Sequence, residues 1–523
     1  MEKQNPNSLI RLRPSRRDIL RASLGVGGAA ALGTTPWTPA ALAQTAGARQ
    51  GGTLRVCFPN APDTLDPHLT ISAPGQQVAA LVYETLTELD ANDQPAPRLA
   101  TSWRAEKSGQ EWIFELRQGV KFHHGKEFTA DDVVATIQRS EDKSLGLRSQ
   151  GAFGPYKEVR AEGKNTVRIV LTQPCAEVPV LVANRWARII PADKLSTIAN
   201  QPVGTGPFKF KDFQPGTSAS VEKNADYWVK DRPFLDGVRV VAIAQSIAQQ
   251  AALRANTVDV LEFLSADGYL ALKSSAGVHA YSITVGQYYT LMTQANLPPF
   301  NNLKVRNAFK YILDRESLLA SAVLGQGTVA NDLTLVPDSI YLPKLEQYGQ
   351  DLNKAKSLLA ESGAGPLSLE LYTSSERQPS PKIAVAFKEA AEKIGVNITI
   401  RDVPFTEYVA NVSRKKALYT SQWNERVSLY ESLFQIYHSS SPFNYSGVEQ
   451  VPGLDAQLEQ MVAELDLARR KAIVTQIIEK IHPYGDRIIP FFMNYMCATT
   501  TKVQNYTPPK HGTTELRDVW LTA

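Results

Sequence analysis

Trp423-Asn424-Glu425-Arg426, with Tyr430 four residues on, gathers an aromatic ring, an amide, a carboxylate and a guanidinium into one short stretch. That combination suits recognition of a small solute: an apolar wall with a few charged groups to fix orientation. A guanidinium fork matches a carboxylate in particular. If the stretch is helical, Tyr430 lies one turn from Arg426 on the same face. The plain alternative is that Trp423 packs inside a core while Glu425 and Arg426 are solvated. Arg185-Trp186, just ahead of Ile189-Ile190-Pro191, is a second candidate wall. Tyr288-Tyr289, preceded by Gln287 and leading to Gln294, is a third, and Ser72 a fourth. Each of these reads equally as cleft wall or ordinary loop.

Residues for turnover are harder to find. Ser-x-x-Lys occurs at Ser140, Ser220 and Ser413 in unrelated contexts, without the Ser-Asp-Asn and Lys-Thr-Gly that such chemistry needs. No Gly-x-Ser-x-Gly elbow, His-Glu-x-x-His pair or phosphate-cradling glycine loop is present. His123-His124 is the one adjacent histidine pair, and neighbours on a strand point to opposite faces. None of the seven histidines sits in a ligand-spaced cluster, so neither a directly bound metal nor a cofactor is expected. Cys57, Cys175 and Cys497 are too few and scattered for a disulfide framework; one bridge remains open, and buried free thiols are the preferred reading.

The elements that must position these groups alternate between strand and helix. Leu54, Val56 and Phe58 have the period of a half-buried strand. Thr129 ahead of Asp131-Asp132 predicts an N-capped helix. Val167, Ile169 and Leu171 alternate again. Asp351 caps a helix that Gly363 ends. Residues 367–371, 381–394 and 396–403 read as strand, helix and strand, a βαβ unit with parallel strands. One long amphipathic helix is expected from Leu454 to Ile481. The fold class is α/β with several lobes.

At the N-terminus, Ser15-Arg16-Arg17-Asp18-Ile19-Leu20 precedes a Gly/Ala-rich apolar run and then Ala41-Leu42-Ala43. This is the order of an export signal, and the apolar run is too short for a membrane span. The paired arginines resemble a twin-arginine signal, which implies export of a folded protein and a periplasmic product cut near Ala43. Residues 1–43 hold six basic and two acidic side chains, the whole of the chain's +4 formal charge. The remainder is balanced and offers no electrostatic case for nucleic acid.

Four groups of motifs resemble the peptide/nickel/opine class (family 5, cluster C) of solute-binding proteins of bacterial ABC importers. They are Gly52-Thr53-Leu54-Arg55-Val56 with Thr64-Leu65-Asp66-Pro67, then Pro97-Arg98-Leu99-Ala100-Thr101-Ser102-Trp103 with the run from Trp112 to His123. Pro202 to Phe208 with Asn224-Ala225-Asp226-Tyr227-Trp228 follows, and last Pro298-Pro299-Phe300 with Val305-Arg306-Asn307. The resemblance implies a periplasmic-binding-protein-like fold, with two main lobes around a hinged cleft and a third lobe inserted. Lobe I would hold 44–87, 202–295 and 485–523, lobe II 88–201 and lobe III 296–484. It also implies a small-molecule ligand and ABC permease subunits as partners, a monomer, and no enzyme activity.

Gly204 and Gly206 would serve a turn through backbone freedom. The family's peptide binders usually carry an Asp shortly after the Trp equivalent to Trp423; none follows here, which favours a carboxylate-bearing, peptide-like or opine-like ligand. A periplasmic peptide or amide hydrolase and a sensory receptor are the rival readings. The first lacks a nucleophile–base pair, and the second is not separable from uptake by sequence.

Overall fold

Thr53–Phe58 is a strand, as its alternation predicts, with Leu54, Val56 and Phe58 buried on one face; on the other Thr53 is exposed, Arg55 half-buried and Cys57 buried. Parallel partners flank it on both sides, Gly237–Ala242 and Val260–Leu261, and Cys57 is as enclosed as Leu54, Val56 and Phe58 because a separate cluster of Leu253, Leu264 and Leu272 packs over its face. This computed structural model describes residues 47–424, 426–441, 443–444 and 451–522; the expected export signal through Ala43, Gln44 and Glu425 lie outside them. Ala48–Ala523 form one compact unit.

The main sheet has eleven strands. Its spatial order is Asn397–Asp402, Ser368–Thr373, Leu418–Trp423, Val278–Thr293, Arg487–Thr500, Val260–Leu261, Thr53–Phe58, Gly237–Ala242, Ser218–Lys223 and Phe208–Gln214, with Gly327–Val329 also pairing Arg487–Thr500. Two long strands, Val278–Thr293 and Arg487–Thr500, run antiparallel through its middle and join two halves. The first half carries a core around Leu54, Phe208, Val260 and Leu516, and the second a core around Phe309, Phe387, Ile398 and Leu418.

Between those cores the sheet narrows. Among the described strands, residues 494–497 are laddered only to Val278–Thr293, since Val260–Leu261 pairs at 498–499 and Gly327–Val329 at 491–493, with single backbone bonds added from Leu264 N to Met496 O and from Asn494 N to Gln326 O. There the ladder is interrupted as well: Val285, Gly286 and Gln287 stand opposite the single residue Met493. Such a bulge unpairs backbone and increases local twist.

A second, antiparallel sheet of four strands runs Ala100–Glu106, Glu111–Leu116, Thr166–Leu171, Tyr156–Ala161. Trp112, Phe114, Phe122 and Phe128 fill its core, which continues into Leu458, Met461 and Ile477 of the C-terminal helices. Thr129 and Asp132 form a reciprocal capping box on helix Ala130–Glu141. Asp351 caps Leu352–Ser362, and Gly363 ends it at φ 68°. Ser368–Thr373, helix Ser380–Glu392 and Asn397–Asp402 make the expected βαβ unit with parallel strands.

Three expectations need correction. The predicted single helix from 454 to 481 is two, Leu454–Ala463 and Leu467–Tyr484, because Glu464 is extended and Asp466 caps the second by accepting from Arg469 N. His123-His124 lies in a turn, in keeping with the His-Asp-Gly turn that the family resemblance implies there, so the opposite faces of a strand do not apply; His123 Nε2 meets Gly206 O at 3.0 Å and its Nδ1 accepts from Gly204 N. Neither Gly204 nor Gly206 has positive φ. A Cβ at Gly204 would stand 1.9 Å from Val82 O, so the glycines serve close approach of two backbones. Cys57, Cys175 and Cys497 are buried free thiols. Among the described residues no helix is long and apolar enough to cross a membrane, and no three His, Cys, Asp or Glu are grouped to hold a metal ion.

Candidate functional site

Where the sheet narrows, two cavities of about 600 and 400 Å³ open. The larger takes Ile71, Phe263 and Tyr495 from the first half, Lys382 and Asn424 from the second, and Val285 and Gln287 from the bulge between them. The smaller is lined by Arg185, Trp186, Arg188, Trp423, Asn424 and Arg426 among others. Arg185, Trp186, Asn424 and Gly512 belong to both, so the two are one cleft.

Five of the ten sequence candidates, Arg185, Trp186, Trp423, Asn424 and Arg426, meet there. Trp423 ends strand Leu418–Trp423, opposite Tyr288 in the register, and the chain then leaves the sheet at the cleft edge. Arg426 places its guanidinium 5.3 Å from the centre of the Trp423 ring and donates to Gln435 Oε1 at 2.8 Å. Arg185 repeats the arrangement, 5.5 Å from the Trp186 ring. A cation over an indole face is held by the ring's quadrupole without a carboxylate partner. Asn424 accepts from Gln287 Nε2 at 3.3 Å, bridging the strand end to the bulge.

Other candidates stand apart from the cavity walls. Asn424, Arg426 and Val427 are not helical, so Tyr430 is not one turn from Arg426; it begins the π-helical turn Tyr430–Phe434, its ring stacks on Phe434 and its N–H donates to buried Glu177. Tyr288 is 2% exposed and packs edge-on against Phe492 behind the wall. Tyr289 is buried too, its hydroxyl donating to Gln378 O at 2.6 Å. Ser72 caps helix Ala73–Val82 and donates to Asp63; its neighbours Ile71 and Ala73 line the cavity, and Ser72 does not.

The model for bacterial extracellular solute-binding proteins, family 5 Middle, matches residues 94–445. The chain belongs to this family. It is 30% identical over 338 residues to heme-binding protein A of Haemophilus influenzae, an alignment covering 59% of this chain and 61% of that one. Against the glutathione-binding protein GsiB of Escherichia coli K12 the figures are 28% over 359 residues, 67% and 70%. The solved structure of HbpA2 from Haemophilus parasuis superposes with a TM-score of 0.81 at 25% identity, covering 90% of this chain and all of that one.

In this solute-binding protein, cleft residues that sequence reasoning missed come mainly from the first half. Phe263 is 43% exposed and sits at φ 57°, a conformation strained for a bulky side chain. Its ring meets Tyr495 edge-on at 4.9 Å. Tyr495 in turn donates to Glu262, a buried carboxyl that also accepts from Tyr506 and Thr514 at 3.0 Å each. Burial pushes the Glu262 carboxyl above the ordinary range, with those hydroxyls opposing. Arg188, two residues beyond Trp186, donates to Tyr83 O at 3.0 Å, and its Nε is buried without a partner. Burial, and then the charge of Arg98, pull its pKa down to about 10. The run Arg185-Trp186-Ala187-Arg188 carried a signal for it; nothing in the sequence marks Phe263.

Proposed function

We propose that this solute-binding protein captures a small carboxylate-bearing solute, peptide-like or opine-like, in the cleft and delivers it to the transmembrane subunits of an ABC permease. The charge of the walls carries the reading. Among the described lining residues Arg185, Arg188, Lys382, Arg426 and Lys510 face only Asp267 and Glu431. Neither Arg185 nor Arg426 has a described carboxylate within ion-pair distance, so both guanidiniums are open to a ligand's. The names of the heme- and glutathione-binding relatives agree with such a ligand, since both compounds carry carboxylates.

In this reading 44–87, 202–295 and 485–523 form one lobe, 296–484 the lobe that closes on it, and 88–201 an insertion, with the two-stranded crossing as hinge. Its narrowness and its bulge support that assignment. The export signal would deliver a monomer to the periplasm. Purified from the native periplasm, the mature chain should begin at Gln44. On denaturation it should release a carboxylate-bearing solute that is unchanged after long incubation with excess protein. Release of a neutral or cationic solute, or build-up of a product by mass spectrometry, would overturn the assignment.

A further inference from the structure

A cavity of about 890 Å³ lies apart from the cleft, on the second half of the sheet. Every described residue that lines it falls between Gln294 and Asn444; Gln294, just past the end of strand Val278–Thr293, is the single one from outside the 296–484 lobe, and it sits on the second half of the sheet. Gln422 is the single described residue it shares with the cleft. Across that junction Arg377 Nη1 donates to Gln422 Oε1 at 2.9 Å, and the same guanidinium lies 3.9 Å over the Phe405 ring.

The chemistry of this cavity is one-sided. Arg377, Arg414 and Lys415 bring three positive charges, and no Asp or Glu is among the described lining residues. Ser374 lines it while only 2% exposed, and its hydroxyl has no hydrogen-bond partner. A buried hydroxyl left unpaired is costly, and a bound acceptor would remove that cost. Ser380, equally buried, is the first residue of the 13-residue helix Ser380–Glu392, whose N-terminus has no side-chain cap. The partial positive charge of a helix N-terminus adds to the guanidinium beside it.

We propose that this cavity is a second binding site, for a small oxyanion, carboxylate or phosphate, held by Arg377, Lys415 and the Ser374 hydroxyl. Because its described walls come from one half only, occupancy does not require the cleft to close. The site thus differs from the cleft in composition and in mechanism.

Titration calorimetry of the mature protein with inorganic phosphate, and separately with acetate, tests this. With Arg185 and Arg426 of the cleft both replaced by alanine, one molecule should still bind per chain, and whichever anion binds more tightly identifies the phosphoryl or the carboxylate source. Arg377→Gln should weaken that binding about tenfold or more, the loss of one charge-assisted contact. Ser374→Ala, nearly isosteric and so safe for folding, should weaken it severalfold. Arg426→Ala, in the cleft, should leave it unchanged. Absence of binding to the parent protein, parent-like binding by both Arg377→Gln and Ser374→Ala, or loss of binding in Arg426→Ala would each overturn the second site.

Discussion

The two faces of the cleft are built differently. On the side of the second half, Trp423, Asn424 and Arg426 are near neighbours in the chain, set in place by a strand that ends at the cavity edge. Opposite, Phe263 and Tyr495 are 232 positions apart and meet because Glu262, under the first and beside the second, collects three hydroxyls. One face is a local motif; the other is assembled by tertiary structure and held by a strained backbone. The locally encoded face thus carries Arg426, and both faces carry aromatic rings.

The largest effect should follow from breaking the local face. Arg426→Ala should weaken binding of the native solute by roughly ten- to a hundredfold, the range for a charge-assisted bond, with Arg426→Lys recovering only part. Calorimetry that found parent-like affinity would move the carboxylate role to Arg185. On the assembled face, Phe263→Ala should cost about three- to tenfold in affinity through lost aromatic area. Stability should then separate strain from contact. At φ 57° glycine is unstrained and alanine is not, so Phe263→Gly should be more stable than Phe263→Ala by about 1 kcal/mol, the reverse of the usual order. Denaturant melts that ranked alanine first would show that the backbone stores no strain there.

The smallest effect concerns protons. Glu262 has its carboxyl raised by burial, whereas in the unfolded chain it ionises near the usual value of about 4.3. As pH rises above that value the unfolded state loses its proton first, so this group's contribution to stability is full at lower pH and declines on going up. Melting temperature should therefore fall less with rising pH in Glu262→Gln than in the parent. Parallel profiles for the two proteins would mean that the carboxyl titrates normally.

Local signals were legible from composition and spacing: the capping box at Thr129, the Asp351 and Gly363 boundaries, and the βαβ unit at 368–402. The motif order pointed to the family, and Arg185, Trp186, Trp423, Asn424 and Arg426 do come together. What escaped was set by distant partners. Periodicity could not tell that Thr53–Phe58 is flanked on both sides, nor that Tyr288 turns inward against Phe492. Gly204 and Gly206 looked like turn residues, and only the neighbouring Val82 backbone shows why no side chain fits. The break at Glu464 was concealed by apolar residues that keep helical spacing on both sides of it.

The two-stranded crossing has a consequence for the thermodynamics of capture. A ribbon of two strands twists more freely than a wide sheet, and its bulge is already unpaired, so the faces of the cleft can turn toward one another without breaking the ladders within either half. Both faces also stay tethered through the same pair of strands in every position. In the proposed capture, a solute that lands on one face would meet the other as an intramolecular partner, at an effective concentration fixed by the ribbon's length rather than by the amount of protein. Two individually weak surfaces would then act as one tight one.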